Sequence, residues 1–204
     1  MNKKGLLLVI SGPSGVGKGT VLAQYKKNAP KMKMSVSATT RSPRPGEENK
    51  REYYFVTKEQ FEQAAKSGEM LEYAEYSGNC YGTPKKAVYD KLNNGFDVVL
   101  EIEVQGAMQI KEKCPEAVLI FILPPSYEEL EKRLLGRKTE NKDAVDKRMS
   151  TAKKELLAAK NYDYVIVNDS VETAAQKLHT VIEGARYLAS QNKELLDGIE
   201  KSIK

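Results

Sequence analysis

Cysteine and histidine are scarce in this chain. Its 204 residues include two cysteines, Cys80 and Cys114, and one histidine, His179. The cysteines form no C-x-x-C pair and no histidine pair accompanies them, so neither a disulfide framework nor a zinc site is indicated. Cysteines without a disulfide framework are typical of proteins in a reducing compartment, which predicts a cytoplasmic location. His179 is far in sequence from every candidate motif, so we assign it a surface or packing role.

Long apolar runs are also lacking. The run Leu6–Ile10 follows two lysines, as in a signal peptide, but it is too short and leads into a glycine-rich segment instead of a cleavage site. No other stretch is long enough to span a membrane as a helix. The sequence therefore predicts no membrane partner.

The chain also has no excess of negative charge. The net charge is +5 and the isoelectric point is near 9.0, a balance that attracts nucleic acid, membrane surfaces or small anions alike. Most lysines are interleaved with acidic residues, as in Lys111-Glu112-Lys113, which is typical of a solvated helix face. No strip of aromatic and basic residues is apparent, so we expect no nucleic acid partner.

Apolar runs and helix signals alternate along the chain. Predicted strands lie at 6–10, 34–37, 53–56, 70–76, 98–104, 117–123 and 164–167. Predicted helices start after Gly17, at the capping box Thr57-x-x-Gln60, at Thr83 as N-cap, at Ser126 and near Glu172, and a further one runs through Arg148. This alternation indicates one large domain with a parallel α/β sheet, which binds ligands at the carboxyl ends of its strands.

A glycine-rich segment joins the first predicted strand to the first predicted helix. It reads Gly12-Pro13-Ser14-Gly15-Val16-Gly17-Lys18-Gly19-Thr20. In that context the glycines let backbone N–H groups converge on phosphate oxygens at the start of a helix. Lys18 would bring a positive charge to the β- and γ-phosphates, where negative charge must be neutralised. The segment predicts a site for phosphoryl transfer.

The residue after Lys18 departs from the usual pattern. Phosphate loops of this kind have Ser or Thr there to contact Mg²⁺, whereas this chain has Gly19, with Thr20 one position later. Direct ligation of the metal by a hydroxyl is therefore not expected. A lysine-glycine-threonine ending is found in nucleoside monophosphate kinases, where water and phosphate oxygens can hold the metal.

Two further motifs follow the loop in order. The first runs from Ser37 to Glu47 and carries two arginines, and the second is Ser77-Gly78-Asn79-Cys80-Tyr81-Gly82. With these motifs the chain resembles guanylate kinases over nearly its whole length. The resemblance implies reversible, ATP-dependent phosphorylation of GMP, and of dGMP, to the diphosphate, a reaction of purine metabolism and GMP recycling. Mg²⁺ carried with ATP is the implied cofactor.

The resemblance also implies the domain organisation. Residues 1–35 and 84–204 would form a core with a parallel five-stranded sheet flanked by helices and a helical lid at about 133–148. Residues 36–83 would form a small mixed α/β subdomain that binds GMP. The protein would be a monomer or a homodimer.

The phosphate of GMP would be held by residues of the two motifs and of one strand. By resemblance these are Arg41, Arg44, Tyr53 and Tyr81. A guanidinium group binds phosphate through two parallel hydrogen bonds, and a phenol donates one directional bond.

The guanine base would be recognised by a carboxylate. Its N1–H and N2–H₂ form a pair of donors that adenine lacks, and Glu72 is the matching acceptor in the resemblance. Ser37, Thr83 and Glu103 would complete the contacts, although Glu103 stands where many relatives carry Asp. Glu101 and Glu103 would share one face of a strand, so Glu101 could instead act on Mg²⁺ through water or be a charged strand terminus.

Arginines in the second half of the chain would contact ATP. In the family, arginines at the positions of Arg133, Arg137 and Arg148 belong to a lid that closes on the phosphates, but the glycine after the second is Lys138 here. Asn168 would lie near the adenine pocket or act as a helix N-cap. The catalytic residues so implied are Lys18, Arg41, Arg137 and Arg148.

Two other interpretations stay open. A catalytically silent module of the same fold would bind a phosphorylated protein and use no ATP, although the intact phosphate loop argues against it. A kinase for AMP, CMP or UMP would share the loop and the lid but not the arrangement of Arg41, Arg44 and Glu72.

Overall fold

The computed structural model describes residues 4–76, 78–136 and 142–203. The chain divides into two compact units. The first comprises the residues up to Ser11 together with Lys31–Leu119, and the second comprises Gly12–Pro30 together with the residues from Ile120 onward. The predicted limits of the GMP-binding subdomain, 36 and 83, stay a prediction.

Strands and helices alternate through both units. The strands are β1 (Leu7–Ser11), β2 (Met32–Met34), β3 (Ser37–Thr39), β4 (Tyr53–Phe55), β5 (Met70–Tyr76), β6 (Asn79–Pro84), β7 (Asp97–Glu101), β8 (Val118–Leu123) and β9 (Tyr164–Val167). The helices are α1 (Lys18–Lys26), α2 (Lys58–Lys66), α3 (Lys85–Asn93), α4 (Val104–Lys113), α5 (Tyr127–Leu135), α6 (Lys142–Leu157), α7 (Val171–Ala185) and α8 (Lys193–Ile203). None of the helices in the described ranges is long and apolar enough to cross a membrane.

Five of these strands form a parallel sheet in the order β2-β7-β1-β8-β9. The inner strands of such a sheet are covered on both faces, so their central residues are apolar. Accordingly Leu8, Val9 and Ile10 of β1 are fully buried, as are Val98 and Val99 of β7. The predicted fold class, a five-stranded parallel core sheet with a smaller mixed element, is confirmed.

The other four described strands form a mixed sheet in the order β4-β3-β6-β5. β3 pairs with β4 in parallel, whereas β6 runs antiparallel to both β3 and β5. A small apolar cluster of Ala38, Phe61 and Met70 packs helix α2 against this sheet. Helix α2 begins with the predicted capping box, in which Thr57 and Gln60 exchange hydrogen bonds between side chain and backbone.

The predicted strand at 98–104 is too long. Strand β7 ends at Glu101, and helix α4, which the sequence did not predict, begins at Val104. Ser11 fixes the turn, since its hydroxyl donates to the Ile102 carbonyl at 2.8 Å. Glu103 is the N-cap residue of α4, but its side chain makes no capping hydrogen bond, so no start signal stands in the sequence. The prediction that Glu101 and Glu103 share a strand face is therefore wrong.

Two other boundaries also differ from the predicted ones. The predicted strand 34–37 is split, because the chain leaves the parallel sheet after Met34 and enters the mixed sheet at Ser37. Thr83 is not a helix N-cap: it lies in strand β6, and Pro84 precedes the first residue of α3. The Thr83 hydroxyl instead donates to a carboxylate on the neighbouring strand.

Candidate active site

The glycine-rich segment forms a loop that ends in the first turn of α1. Gly17 is the N-cap residue of this helix, in the left-handed region at φ 92°. A Cβ atom at Gly17 would lie 2.7 Å from Nδ2 of Asn168, so both the backbone angle and the available space require glycine. The free N–H groups at a helix start attract anions.

Lys18 is the first residue of α1, and its side chain folds back across the loop. Its Nζ donates to the carbonyl oxygen of Gly12 at 2.6 Å and lies 3.4 Å from that of Pro13. The ammonium group is therefore held at the positive end of the helix. The charge of Lys18 and the dipole of α1 therefore create positive potential in the same region.

Arg133 and Asn168 support the loop within the second unit. The Val16 carbonyl accepts from Asn168 Nδ2 at 2.7 Å and from Arg133 Nη1 at 3.4 Å. Arg133 also donates to the Asn168 carbonyl at 3.2 Å, and its Nε to Glu129 at 3.0 Å. Asn168 is 4% exposed and does not cap a helix, because Ser170 is the N-cap of α7. Two residues predicted from the resemblance to bind ATP thus contact the phosphate loop.

Three of the four residues predicted to hold the acceptor phosphate come together in the first unit. Tyr53 on β4 and Tyr81 on β6 flank strand β3, and their ring centroids are 6.1 Å apart. The Arg41 guanidinium carbon lies 5.5 Å from the centroid of the Tyr53 ring, and the group also interacts with Tyr81. Arg44 lies in the same exposed loop as Arg41.

Glu47 organises the two arginines of this loop. Its Oε1 accepts from Arg41 Nη2 at 2.9 Å, and its Oε2 accepts from the backbone N–H of Arg44 at 2.8 Å. The hydrogen bond to Arg41, followed by that to the Arg44 backbone, lowers the pKa of the Glu47 carboxyl. The same hydrogen bond to Glu47 raises the pKa of Arg41. Glu47 therefore holds the loop that carries both arginines predicted to bind phosphate.

Tyr53 is kept as a neutral donor. Burial, and then the neighbouring Tyr81 hydroxyl, raise its pKa, while the positive charge of Arg41 opposes that shift. The negative charges of Glu47 and Glu101 raise it further. A phenol in this state can donate a hydrogen bond to a phosphate oxygen at neutral pH.

Glu72 is the buried carboxylate of the mixed sheet. It is 5% exposed, and its Oε1 accepts from the Thr83 hydroxyl at 2.7 Å. Burial raises the pKa of Glu72, whereas the hydrogen bond from Thr83 and the positive charge of Lys113 lower it. Ser37 lies at the start of β3 and is half-buried. Two of the residues predicted to contact guanine, Glu72 and Thr83, thus contact each other.

Comparisons with known proteins identify the family. A sequence model of guanylate kinases matches residues 4–185. A guanylate kinase from Clostridioides difficile (strain 630) is 51% identical over 98% of this chain and 96% of its own length. This chain belongs to the guanylate kinase family. A guanylate kinase from Listeria innocua is 49% identical over 98% of this chain and 100% of its own length. A crystal structure of guanylate kinase from Anaplasma phagocytophilum has a TM-score of 0.73 at 34% identity, covering 96% of this chain and 95% of that chain.

Some residues implied by the guanylate kinase resemblance keep only a predicted role. Arg137 and Lys138 lie outside the described residues. Arg148 lies on helix α6 and is half-buried. Glu101 ends strand β7 and Glu103 precedes α4, both with exposed side chains.

The position after Lys18 is open. A Cβ atom at Gly19 would meet no heavy atom within 4 Å, and the neighbouring Thr20 is exposed on α1. Within the described ranges, no group of three or more His, Cys, Asp or Glu side chains could hold a metal ion. In a guanylate kinase the ion need not have such a cage, because Mg²⁺ binds mainly phosphate oxygens and water in kinase sites. The loop fits a metal that is carried by the nucleotide.

Several residues of this guanylate kinase fold that support the predicted GMP-binding residues were not themselves predicted from the sequence. Glu47 stands in the quoted arginine motif, and a carboxylate between arginines was the available signal for it. Gly106, Gln109 and Lys113 lie on helix α4 and contact the strand that carries Glu72. No signal marked them, since the helix itself was not predicted.

Proposed function

We propose that this chain transfers the γ-phosphoryl group of ATP to GMP, and to dGMP, in the reversible reaction ATP + GMP = ADP + GDP. Membership of the guanylate kinase family supports the reaction class. The observation that carries the choice of acceptor is the buried carboxylate of Glu72, fixed by a hydrogen bond from Thr83. We propose that the enzyme acts in the cytoplasm, as a monomer or a homodimer.

Glu72 selects guanine by accepting two hydrogen bonds. One carboxylate can accept from N1–H and N2–H₂ together, whereas adenine presents an acceptor at N1 and has no 2-amino group. A buried carboxylate left without such donors loses solvation that nothing replaces, which disfavours other bases. Thr83 occupies only one lone pair of Oε1, so acceptor capacity remains for the base. Ser37 and Glu103 would complete the contacts with guanine.

Arg41, Arg44, Tyr53 and Tyr81 would hold the phosphate of GMP. A phosphate dianion competes with Glu47 for the Arg41 guanidinium, because it carries the larger charge and accepts two parallel hydrogen bonds. The Tyr53 phenol adds a directional donor. Anchoring both ends of the acceptor, base and phosphate, orients its oxygen for attack.

The phosphate loop would hold the donor. The N–H groups at the start of α1 bind phosphate oxygens, and Lys18 exchanges the carbonyls of Gly12 and Pro13 for the β- and γ-phosphates. Arg133 and Asn168 keep the loop in shape through the Val16 carbonyl. Arg137 and Arg148 are proposed to add positive charge during transfer. Mg²⁺ bound to ATP would supply further neutralisation of the phosphate charge.

The chemistry needs no nucleophile from the protein. A phosphate oxygen of GMP forms a bond to the γ-phosphorus as the bond from that phosphorus to the β,γ-bridging oxygen breaks, and ADP leaves. The protein supplies positioning and positive charge. The same groups serve the reverse reaction.

A panel of acceptors tests the proposal. ADP formation from ATP should be fastest with GMP, and AMP, CMP and UMP should be poor acceptors. Glu72→Gln should lower kcat/KM for GMP by about 100-fold or more, because the amide replaces one acceptor by a donor. Glu62→Gln on the exposed face of α2 is the matched control and should behave as the parent.

Two outcomes would overturn the proposal. A preference for AMP, CMP or UMP would assign the chain to another nucleoside monophosphate kinase activity. No turnover with any acceptor, together with retained binding of GMP, would indicate a binding module.

A further inference from the structure

The strand that carries Glu72 is irregular at that residue. β5 and β6 pair as Met70 with Pro84 and then as Tyr73 with Gly82, so the register shifts between Met70 and Tyr73. Such a β-bulge turns the side chains of the bulged strand away from their regular directions, and bulges are frequent beside active sites. β5 is also an edge strand of the mixed sheet, so within the described ranges no strand neighbours its outer backbone groups. The direction of the Glu72 side chain depends on what holds this bulge.

Helix α4 holds the bulge from the outer edge. The Gln109 side chain binds the Tyr73 backbone at both ends: Oε1 accepts from the Tyr73 N–H at 3.2 Å, and Nε2 donates to the Tyr73 carbonyl at 2.8 Å. One amide side chain thus takes the place of a neighbouring strand. Lys113 Nζ donates to the Leu71 carbonyl at 3.1 Å. The residues on both sides of Glu72 are therefore tied to one helix.

The carboxylate itself packs on the first turn of α4. A Cβ atom at Gly106 would lie 2.5 Å from Oε2 of Glu72 and 3.2 Å from its Cδ. Only a residue without a side chain lets the helix backbone approach so closely. Gly106, Gln109 and Lys113 are spaced by three and four positions, so they lie on one face of the helix.

We propose that Gln109 is a positioning residue for the recognition of guanine: it fixes the β5 bulge through Tyr73, and thereby the Glu72 carboxylate. This inference rests on the proposed function. It assigns part of the base specificity to a residue that acts through the backbone of the strand. Glu72 is then held on three sides, by Thr83, by the surface at Gly106 and by the fixed bulge.

A purely structural role would have a different signature. If Gln109 only covered an exposed strand edge, its loss would lower stability and reduce activity equally for all acceptors. A positioning role changes the ratio of activities with acceptors that use the carboxylate differently. IMP is a suitable comparison, because hypoxanthine keeps N1–H but lacks the 2-amino group.

The experiment measures kcat and KM for GMP and IMP with the full chain. Gln109→Ala should raise KM for GMP about tenfold, as expected for the loss of one or two hydrogen bonds, with kcat and the KM for ATP nearly unchanged. The preference for GMP over IMP should fall about fivefold, because a displaced carboxylate no longer meets both donors. Gln109→Glu keeps the acceptor and loses the donor. Its KM for GMP and its preference for GMP over IMP should lie between those of the parent and those of Gln109→Ala. Gln63→Ala, on the exposed face of α2, is the matched control.

Each result decides between the proposals. A folded Gln109→Ala variant with the parent's preference for GMP over IMP would overturn the role of Gln109 and leave the proposed function intact. A parent enzyme that does not phosphorylate GMP would overturn both. If Gln109→Ala does not fold, Gln109→Glu carries the test, and an unchanged preference in that variant refutes the inference.

Discussion

The phosphate loop and the proposed guanine-binding residues are built in opposite ways. The loop is one contiguous segment, Gly12–Thr20, in which backbone N–H groups and a single lysine would supply the binding groups. The proposed guanine-binding residues come from separate elements and depend on one buried side chain, Glu72. In the proposed function the loop binds what all nucleoside triphosphates share, whereas the carboxylate recognises the edge of one base. The residues proposed to bind the triphosphate are contiguous in the sequence, whereas those proposed to bind the base come from distant parts of the chain.

Replacing Lys18 with Met should have the largest effect, because it removes the one side-chain charge of the loop. The rate kcat should fall by about 100-fold to 1,000-fold, the range for loss of one preorganised group that stabilises the transition state. The Kd for GMP should change little. Steady-state kinetics and calorimetric GMP binding check both statements, with Lys26→Met at an exposed position of α1 as the control. A Lys18→Met enzyme with near-normal turnover would show that the loop works without its lysine.

Gly106→Ala should damage the proposed guanine site and also lower stability. The added methyl group would lie 2.5 Å from Oε2 of Glu72, so the carboxylate or the helix must move. We expect a rise in KM for GMP of about tenfold and a loss of about 1–3 kcal/mol in the free energy of unfolding, as for overpacked sites. Urea unfolding measures the free energy of unfolding, and steady-state kinetics measure KM for GMP. Gly184→Ala on α7, where a Cβ meets no heavy atom within 4 Å, should not lower stability.

The pH dependence of GMP binding should report the Glu72 carboxyl, whose pKa is raised by burial. Guanine needs the ionised form, so KM for GMP should rise by about tenfold per pH unit as the pH falls below that pKa. A carboxyl whose pKa is raised on folding destabilises the native state above its ordinary pKa. Glu72→Gln should therefore increase stability at neutral pH and lose this advantage in acid. KM values that stay constant over the acid range would contradict a direct contact of Glu72 with the base.

Gly19→Ser should have the smallest effect. The position has open space and lies in the first turn of α1, so the free energy of unfolding should change by less than about 0.5 kcal/mol. The new hydroxyl stands where other phosphate loops contact Mg²⁺, so half-maximal activity should need less Mg²⁺. A titration of the rate with Mg²⁺ checks this. A strongly destabilised variant would show that the open space is needed for another reason.

Much of the fold was predictable because its signals are local. The buried strand β1, the apolar run of β9, the phosphate loop and the capping box at Thr57 each lie within a few consecutive residues. Helix α4 was missed because it starts without a capping side chain directly after a strand. Because this helix was not predicted, the roles of Gln109 and Gly106 were not predicted either, and Glu103 was wrongly placed in a strand.

The sequence by itself determined the phosphate loop, since glycines at fixed spacing between a strand and a helix dictate the backbone that binds phosphate. It also indicated Glu72, Arg41 and Arg44 through the resemblance to guanylate kinases. Only the tertiary structure decided what holds these groups: Glu47 for the arginines, and Thr83 and helix α4 for the carboxylate. Such contacts join residues that are distant in the chain, and neither periodicity nor spacing encodes which of them meet.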